Sequence, residues 1–148
     1  MKKLNLGCGR KHMPGYINID IQERIKPDVV CDVVQGLPFK DNSIDEVRAY
    51  DFLEHIPLGS TMFVVNEIWR VLKPGGGFEH FTPSTDGRGA FQDPTHVSFW
   101  NIHSWIYYTH DEYRDIYDIR AKFNIQNLQD VKTGEQIIHT YGRLNAVK

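Results

Sequence analysis

The sequence predicts an α/β fold with a mostly parallel sheet, and three observations support this prediction. Short apolar runs, each ending beside a glycine or an acid, recur along the first half of the chain. One amphipathic stretch, Leu58–Leu72, separates two of these runs and has the periodicity of a helix. Two longer strand-like runs lie near the end. Strands that alternate with helices and connecting segments are typical of parallel sheets.

The predicted strands of the parallel part are short and rich in Ile, Val or Leu. Each is bounded by residues that favour turns. Their expected bounds are Lys3–Leu6, Tyr16–Ile19, Val29–Cys31, Glu46–Tyr50 and Gly77–Phe81.

The predicted helix precedes the last of these strands. Ser60 or Thr61 is expected to cap its start, and the Pro74-Gly75 pair is expected to end it. Apolar residues recur at helical spacing and should form its core-facing stripe. They are Leu58, Met62, Val65, Trp69 and Leu72.

The second half of the chain has a different character. Residues Ser84–Ile119 are dense in aromatic and histidine side chains, and they predict a long loop followed by one or two short helices. The runs Phe123–Val131 and Gln136–Val147 are joined by "KTGE", which predicts an antiparallel hairpin. The sheet should therefore begin parallel and end antiparallel.

Composition narrows the class of protein. The 148 residues fit a single domain, 1–148, and the net charge of −2 provides no global basic field for duplex nucleic acid. Cys8 and Cys31 match no zinc spacing and predict reduced thiols in a cytoplasmic protein. No signal peptide is expected, and no apolar run approaches the roughly 20 residues that span a bilayer.

The stretch "LNLGCGRKHMPGYINIDI" predicts a nucleoside site. Its glycine turn follows the first strand, and Asp20 and Asp32 end the next two. These carboxylates can accept hydrogen bonds from ribose hydroxyls and an exocyclic amine. A dinucleotide site would need a third glycine where His12 stands, and Arg10–Gly15 leaves room for one helical turn at most. The sequence therefore favours a ligand without phosphates.

Four stretches, taken in order, resemble the class I S-adenosylmethionine-dependent methyltransferases, in particular the type 11 small-molecule group. They are "LNLGCG", "INIDI", "CDVVQGLPFKDNSIDEV" and "EIWRVLKPGGGF", and the similarity covers Leu4–Phe81. The resemblance implies a Rossmann-like, mostly parallel seven-stranded sheet with an antiparallel C-terminal hairpin. It also implies transfer of a methyl group from S-adenosylmethionine, which leaves S-adenosylhomocysteine.

The resemblance also implies roles for residues at the strand ends. Gly7, Cys8 and Gly9 would cradle the methionine part and the ribose edge of the cofactor. Asp20 would bind the ribose hydroxyls; Asp32 and Val33 would lie beside the adenine. Asp51 and Phe52 would line the methionine end, and the pair Glu54-His55 would lie near the sulfonium. Since the first crossover helix is nearly absent, Arg10, Lys11 or His12 would reach the cofactor carboxylate.

The tract Asp93-Pro94-Thr95-His96 supplies the other candidate catalytic residues. His96 is a candidate general base that would remove a proton from the acceptor, with Asp93 beside it. A buried polar turn is the alternative interpretation. A zinc site made of Asp93, His96, His103 and His110 is disfavoured because their spacing matches no known pattern, so no metal is predicted.

The acceptor is predicted to be a small molecule, with oxygen favoured over nitrogen. Aromatic residues of the second half would form either the floor of its pocket or a second core: Phe99, Trp100, Trp105, Tyr107 and Tyr108. Two alternatives remain open. One is a non-catalytic cofactor-binding partner subunit; the other is a nucleic acid methyltransferase, which the net charge and "DFLE" in place of an "NPPY"-type tetrapeptide disfavour. A homodimer or a partner subunit would complete so lean a chain.

Overall fold

The computed structural model describes residues 1–148, which form one seven-stranded sheet in the order β3-β2-β1-β4-β5-β7-β6. Strands β1 to β5 are parallel, and β7 runs antiparallel to both β5 and β6. The predicted fold class and the C-terminal hairpin are thereby confirmed. The strands are β1 Lys3–Leu6, β2 Ile17–Asp20, β3 Val29–Val30, β4 Ile44–Tyr50, β5 Leu72–Pro83, β6 Phe123–Gly134 and β7 Ile137–Ala146.

The α-helices are few and short. They are α1 Thr61–Val71, α2 Gly89–Gln92, α3 Ile106–Thr109 and α4 Asp111–Tyr117. No helix lies between β1 and β2, and the next two crossovers contain only the 3-10 turns Glu23–Ile25 and Val33–Gln35. The expectation that at most one helical turn fits before β2 is therefore confirmed. None of these helices has the length and apolar character needed to cross a bilayer.

The structure corrects one half of the predicted α1 stripe, because Val65 and Leu72 are buried and Trp69 packs against the core, as predicted. Leu58 belongs to a 3-10 turn before the helix and is 71% exposed, and Met62 is also exposed. The helix ends at Val71, before Pro74, because Leu72 already enters β5. Ser60 makes no side-chain capping bond. The face that α1 buries consists of Val64, Val65, Ile68 and Val71.

The core lies on the face of the sheet that α1 covers. It is a single cluster of 25 buried residues. Strand register aligns Leu4, Val47, Phe78 and Leu144 in one row across it.

The aromatic tract of the second half divides between this core and the surface. Trp100, Trp105 and Tyr108 belong to the main cluster, whereas Phe99 and Tyr107 are exposed. These aromatics therefore do not form a separate second core, and four of them line one cleft of about 410 Å³: Phe99, Trp100, Tyr107 and Tyr108. The region also contains one more helix than predicted, because α2 forms within the expected loop.

Candidate functional site

The glycine turn after β1 requires glycine for two reasons. Gly7 has φ +60° and Gly9 has φ +50°, a region that side-chain-bearing residues rarely adopt. In addition, a Cβ on Gly7 would stand 2.3 Å from the Phe52 ring. The bare backbone of this turn consequently lies at the carboxyl edge of the sheet, where ligands bind in open α/β folds.

Asp20 is fixed beside this turn at the end of β2. Its Oδ2 accepts a hydrogen bond from the Gly9 N–H (2.9 Å), and its Oδ1 accepts one from the Gln22 N–H (2.9 Å). Asp32, after β3, accepts from the Val34 N–H (3.2 Å) at the start of a 3-10 turn. Each carboxylate oxygen has a second lone pair, so both groups retain acceptor capacity for a ligand.

A cleft of about 600 Å³ opens over these strand ends, and no lysine or arginine lines it. A phosphate group would find no cationic partner there, whereas a neutral ribose and adenine would find carboxylate acceptors. This is the chemistry expected for a phosphate-free nucleoside. The predicted residues Gly7, Asp20, Asp32, Val33, Asp51, Phe52 and His55 all line this cleft, together with Thr95.

Cys8 and Gly9, which were also predicted to hold the cofactor, do not line this cleft. They line a neighbouring groove together with Arg10 and Lys11, and Gly7 and Asp51 border both spaces. The Cys8 side chain is buried, with Sγ directed to the Gly9 carbonyl (3.5 Å). Any contact of Cys8 with a ligand in the main cleft would therefore come from its backbone.

Asp51 lies directly after the end of β4, where this strand meets the cleft. It has φ +49°, which is uncommon for a residue with a side chain, and its N–H donates to the Phe81 carbonyl (2.8 Å). Backbone strain of this kind persists where the surrounding structure holds it, often at functional sites. The carboxylate of Asp51 is about half exposed and lies 3.7 Å from His139 Nε2.

A second, smaller cleft of about 240 Å³ shares Asp51 and His55 with the first. The sequence-predicted His96 and Asp93 line it, so the structure places all three candidate catalytic residues around one space. The His96 Nε2 atom lies 3.7 Å from Asp93 Oδ2. Two hydrogen bonds from Thr95 to Oδ1 hold the pKa of Asp93 below its ordinary value.

Glu54 also lines the second cleft, although the sequence analysis gave it no catalytic role. Its side chain is only 2% exposed, and neither carboxylate oxygen has a hydrogen-bond partner. Burial, with smaller contributions from the charges of Asp51 and Asp93, raises the pKa of Glu54 to about 8. The pair Glu54-His55 was noted in the sequence for its histidine; its glutamate gave no local sign of being buried.

The four residues considered as zinc ligands in the sequence analysis, Asp93, His96, His103 and His110, do not come together in the structure. Neither His103 nor His110 joins Asp93 and His96 in a group whose ligating atoms lie within 4.8 Å of one another. The group of acidic, histidine or cysteine residues whose ligating atoms all lie within 4.8 Å of one another consists of Glu54, His55 and His96.

Comparison with protein families gives one match, which spans residues 4–79, slightly more than half of the chain, and is described as a methyltransferase domain. The chain belongs to this family. The methyltransferase matches no curated protein in sequence. Its cofactor is S-adenosylmethionine, as the resemblance implied. The main cleft, which has no lysine or arginine in its lining, fits that phosphate-free molecule.

Many solved structures share the fold of this methyltransferase. An S-adenosylmethionine-dependent methyltransferase from Methanosarcina mazei aligns with 99% of this chain and 92% of its own, with TM-score 0.68 and 17% identity. A Burkholderia thailandensis 1,6-didemethyltoxoflavin-N1-methyltransferase with S-adenosylhomocysteine bound aligns with 99% of this chain and 71% of its own, with TM-score 0.66 and 15% identity. A putative methyltransferase of Haloferax volcanii, in complex with the Trm112 activator, aligns with 99% and 83%, with TM-score 0.66 and 15% identity.

Proposed function

We propose that this methyltransferase, a single domain over residues 1–148, transfers the methyl group to a hydroxyl of a small molecule. The observation that carries the proposal is the wall shared by the two clefts. Asp51 and His55 border both the nucleoside-sized space and the smaller polar one. An acceptor in the second cleft would therefore meet a donor in the first across this wall.

In the proposed arrangement Asp20 binds the ribose hydroxyls, Asp32 and Val33 hold the adenine, and the Gly7 turn contacts the methionine part. S-adenosylmethionine supplies the methyl group on a sulfonium, and the carboxylate of Asp51 lies at the end of the cleft where that positive charge would be stabilised. Arg10 and Lys11 line the adjoining groove and are available to pair with the cofactor carboxylate.

The groups around the second cleft support an oxygen acceptor. A neutral amine has a nucleophilic lone pair without losing a proton, whereas a hydroxyl needs a base to become a good nucleophile. Because Ala90 offers only a carbonyl oxygen, the hydrogen bond of 3.0 Å from His96 Nδ1 places the ring hydrogen on Nδ1. The Nε2 lone pair of His96 is then free to accept the proton. Methyl transfer also depends on alignment of the reactants and exclusion of water, which two adjoining clefts can provide.

Calorimetry with S-adenosylhomocysteine tests the cofactor site. Replacing Asp20 by alanine, Asp20→Ala, removes an acceptor of the ribose hydroxyls and should weaken binding by about 1–3 kcal/mol, since polar ligand groups lose their partner. Glu23→Ala is the matched control, because Glu23 is an exposed acid near Asp20 that does not line the cleft. Equal affinities for the two variants would remove Asp20 from the site.

Transfer of labelled methyl groups to a panel of hydroxyl and amine compounds tests the acceptor class. The proposal predicts hydroxyl products and at least a roughly hundredfold loss with His96→Ala, as general-base catalysis contributes about that much. Labelled amines would move the assignment to nitrogen, the acceptor atom of the Burkholderia enzyme. Cofactor binding without any transfer would support the non-catalytic partner subunit, and labelled tRNA or DNA would support the nucleic acid alternative.

A further inference from the structure

We infer that Glu54, His55 and His96 form a binding site for one divalent transition-metal ion. This inference deepens the proposed function and rests on it for the role of the ion, although metal binding itself can be measured separately. The ligating atoms of the three side chains all lie within 4.8 Å of one another at the wall between the two clefts. The sequence predicted no metal, because spacing along the chain does not reveal this grouping.

The first supporting observation is the buried, unpartnered carboxylate of Glu54. Both of its oxygens are buried and neither accepts a hydrogen bond. A buried carboxyl group without a partner is costly unless a donor or a cation compensates it. The nearest side-chain nitrogen of a basic residue, His55 Nε2, is 3.9 Å from Oε1, which is too far for a hydrogen bond. A metal ion at this point would supply the missing partner, in place of the proton of the carboxyl group.

The second observation is the orientation of the two histidines. His55 Nδ1 lies 3.2 Å from the Thr95 carbonyl, and His96 Nδ1 lies 3.0 Å from the Ala90 carbonyl. Carbonyl oxygens only accept, so each Nδ1 carries the ring hydrogen and each Nε2 presents a lone pair. Metal-binding histidines characteristically donate their other ring N–H to a carbonyl or carboxylate in this way. The arrangement therefore has the outer hydrogen bonds of a metal site as well as its ligands.

Backbone hydrogen bonds fix the positions of the two segments that carry these ligands. Glu54 and His55 lie in the 3-10 turn Leu53–His55. The Glu54 carbonyl accepts hydrogen bonds from the N–H groups of Val97 (2.8 Å) and Ser98 (3.1 Å), which fixes the turn against the segment that carries His96. Metal bonds to nitrogen and oxygen are about 2.0–2.2 Å long, so the three ligating atoms would have to move inward by roughly 1 Å to reach one ion. Side-chain rotation can supply that movement while the backbone bonds remain.

The donor set indicates the class of metal. Two imidazoles and one carboxylate suit Zn²⁺, Mn²⁺, Fe²⁺ or Co²⁺, whereas Mg²⁺ and Ca²⁺ prefer oxygen ligands alone. Three protein ligands leave coordination positions open for water or for an acceptor oxygen. The ion would use both histidine lone pairs, so His96 would act as the base only in the metal-free protein. In the metal-loaded protein the proton would pass to Asp93 Oδ2, which lies 3.7 Å from His96 Nε2.

Direct metal titration tests the inference without any need for activity. Purified protein comprising residues 1–148 is stripped with EDTA, desalted and titrated with Zn²⁺ by calorimetry and with Co²⁺ by visible absorption. We expect one ion per chain and ligand-field bands from Co²⁺. Glu54→Gln, His55→Ala and His96→Ala should each weaken binding at least about tenfold, since even the loss of an outer-shell partner costs 10–100-fold. His103→Ala and His110→Ala are the controls, because neither residue lines the cleft.

Two results would overturn the inference. One is the absence of stoichiometric binding; the other is binding that survives Glu54→Gln or disappears with His103→Ala, which would indicate surface histidines. Circular dichroism of Glu54→Gln, a substitution of nearly equal shape, shows whether any loss of binding comes from unfolding. S-adenosylhomocysteine calorimetry on the same EDTA-treated sample separates the two proposals, because cofactor binding without metal binding leaves the proposed function intact and removes the metal site.

Discussion

The two faces of the sheet are built from the same strands but from opposite kinds of side chain. On one face, the row Leu4, Val47, Phe78 and Leu144 is fully buried under α1. The adjacent row on the other face, displaced by one residue in each strand, runs through Asn5, Arg48, Glu79 and Arg143. Parallel sheets usually carry apolar side chains on both faces, since helices cover both.

Crossover direction explains why this face is polar. Right-handed connections that run in opposite directions across a parallel sheet lie on opposite faces. Helix α1 joins β4 to β5, while the β1–β2 and β2–β3 connections run the other way and contain no α-helix. The second face therefore lacks its helical layer. Its side chains bond to one another instead: Glu79 accepts from the hydroxyls of Tyr50 and Tyr141, and Arg48 lies over the Tyr50 ring.

This methyltransferase fold therefore needs one apolar core and one organised carboxyl edge of the sheet. The Gly7 turn, Asp20 and Asp32 all lie at strand ends, so their positions depend on the register of the sheet. Loss of the helices from the second face leaves that register intact.

Two phenylalanines on opposite faces of β5 should differ most in their contribution to the free energy of unfolding. Phe78 is 0% exposed and packs on Trp105, Phe123 and His80, so Phe78→Ala should cost about 3–5 kcal/mol of unfolding free energy. Phe81 lies on the polar face and stacks on His139, so Phe81→Ala should cost roughly 1–2 kcal/mol. Urea denaturation measures both. Equal losses would mean that the second face is covered in solution.

The next effect is a pH dependence that arises within the buried face. His80 is fully buried, contacts Phe78, Thr82 and Trp105, and has its pKa lowered from 6.5 to about 3 by desolvation. Between these values the unfolded chain binds a proton that the folded chain does not, so stability falls as the pH is lowered. At about pH 4 the loss from this group should reach about 3 kcal/mol relative to neutral pH.

Denaturation of wild type and His80→Leu at several pH values checks this prediction. The leucine variant should lose stability less steeply on acidification, whereas His103→Ala, which changes an exposed histidine, should follow the wild type. A wild-type slope that persists in His80→Leu would assign the acid sensitivity to other groups, such as Glu67 or Asp45, whose pKa values are lowered by their partners.

Much of this architecture was predictable from the sequence because short local segments determine it. Apolar strand runs and turn residues predicted the five parallel strands, the hairpin and the absent first crossover helix. The alternation in "KLNL" and "EVRAY" also carries the signal of strands with one polar face. The residues predicted for the cofactor lie at strand ends, and the structure places most of them around one cleft, since parallel strands end at the same edge.

What the sequence could not predict depends on contacts between distant segments. Glu54 is buried because residues 97 and 98 bond to its carbonyl from more than 40 positions away, and no local pattern encodes that contact. The first part of the predicted α1 stripe was misjudged for a related reason. Leu58 and Met62 fit helical spacing, yet the helix starts only at Thr61 and turns Val64 and Ile68 toward the sheet.

The smallest expected effect concerns the ion pairs of the polar face. Arg143 is 51% exposed and lies 3.3 Å from Glu79, so Arg143→Ala should cost less than about 1 kcal/mol, and the cost should vanish in 1 M salt. Arg70 provides the contrast on the other side of the molecule. It bonds to Glu67 and Asp41 (both 2.6 Å) and to two backbone carbonyls, so Arg70→Ala should cost about 2–3 kcal/mol, with much of that loss retained in salt. Denaturation at low and high salt measures both variants. A large, salt-resistant loss of stability with Arg143→Ala would show that the polar face of the sheet is shielded from water. That result would be expected if another layer of protein packed on this face.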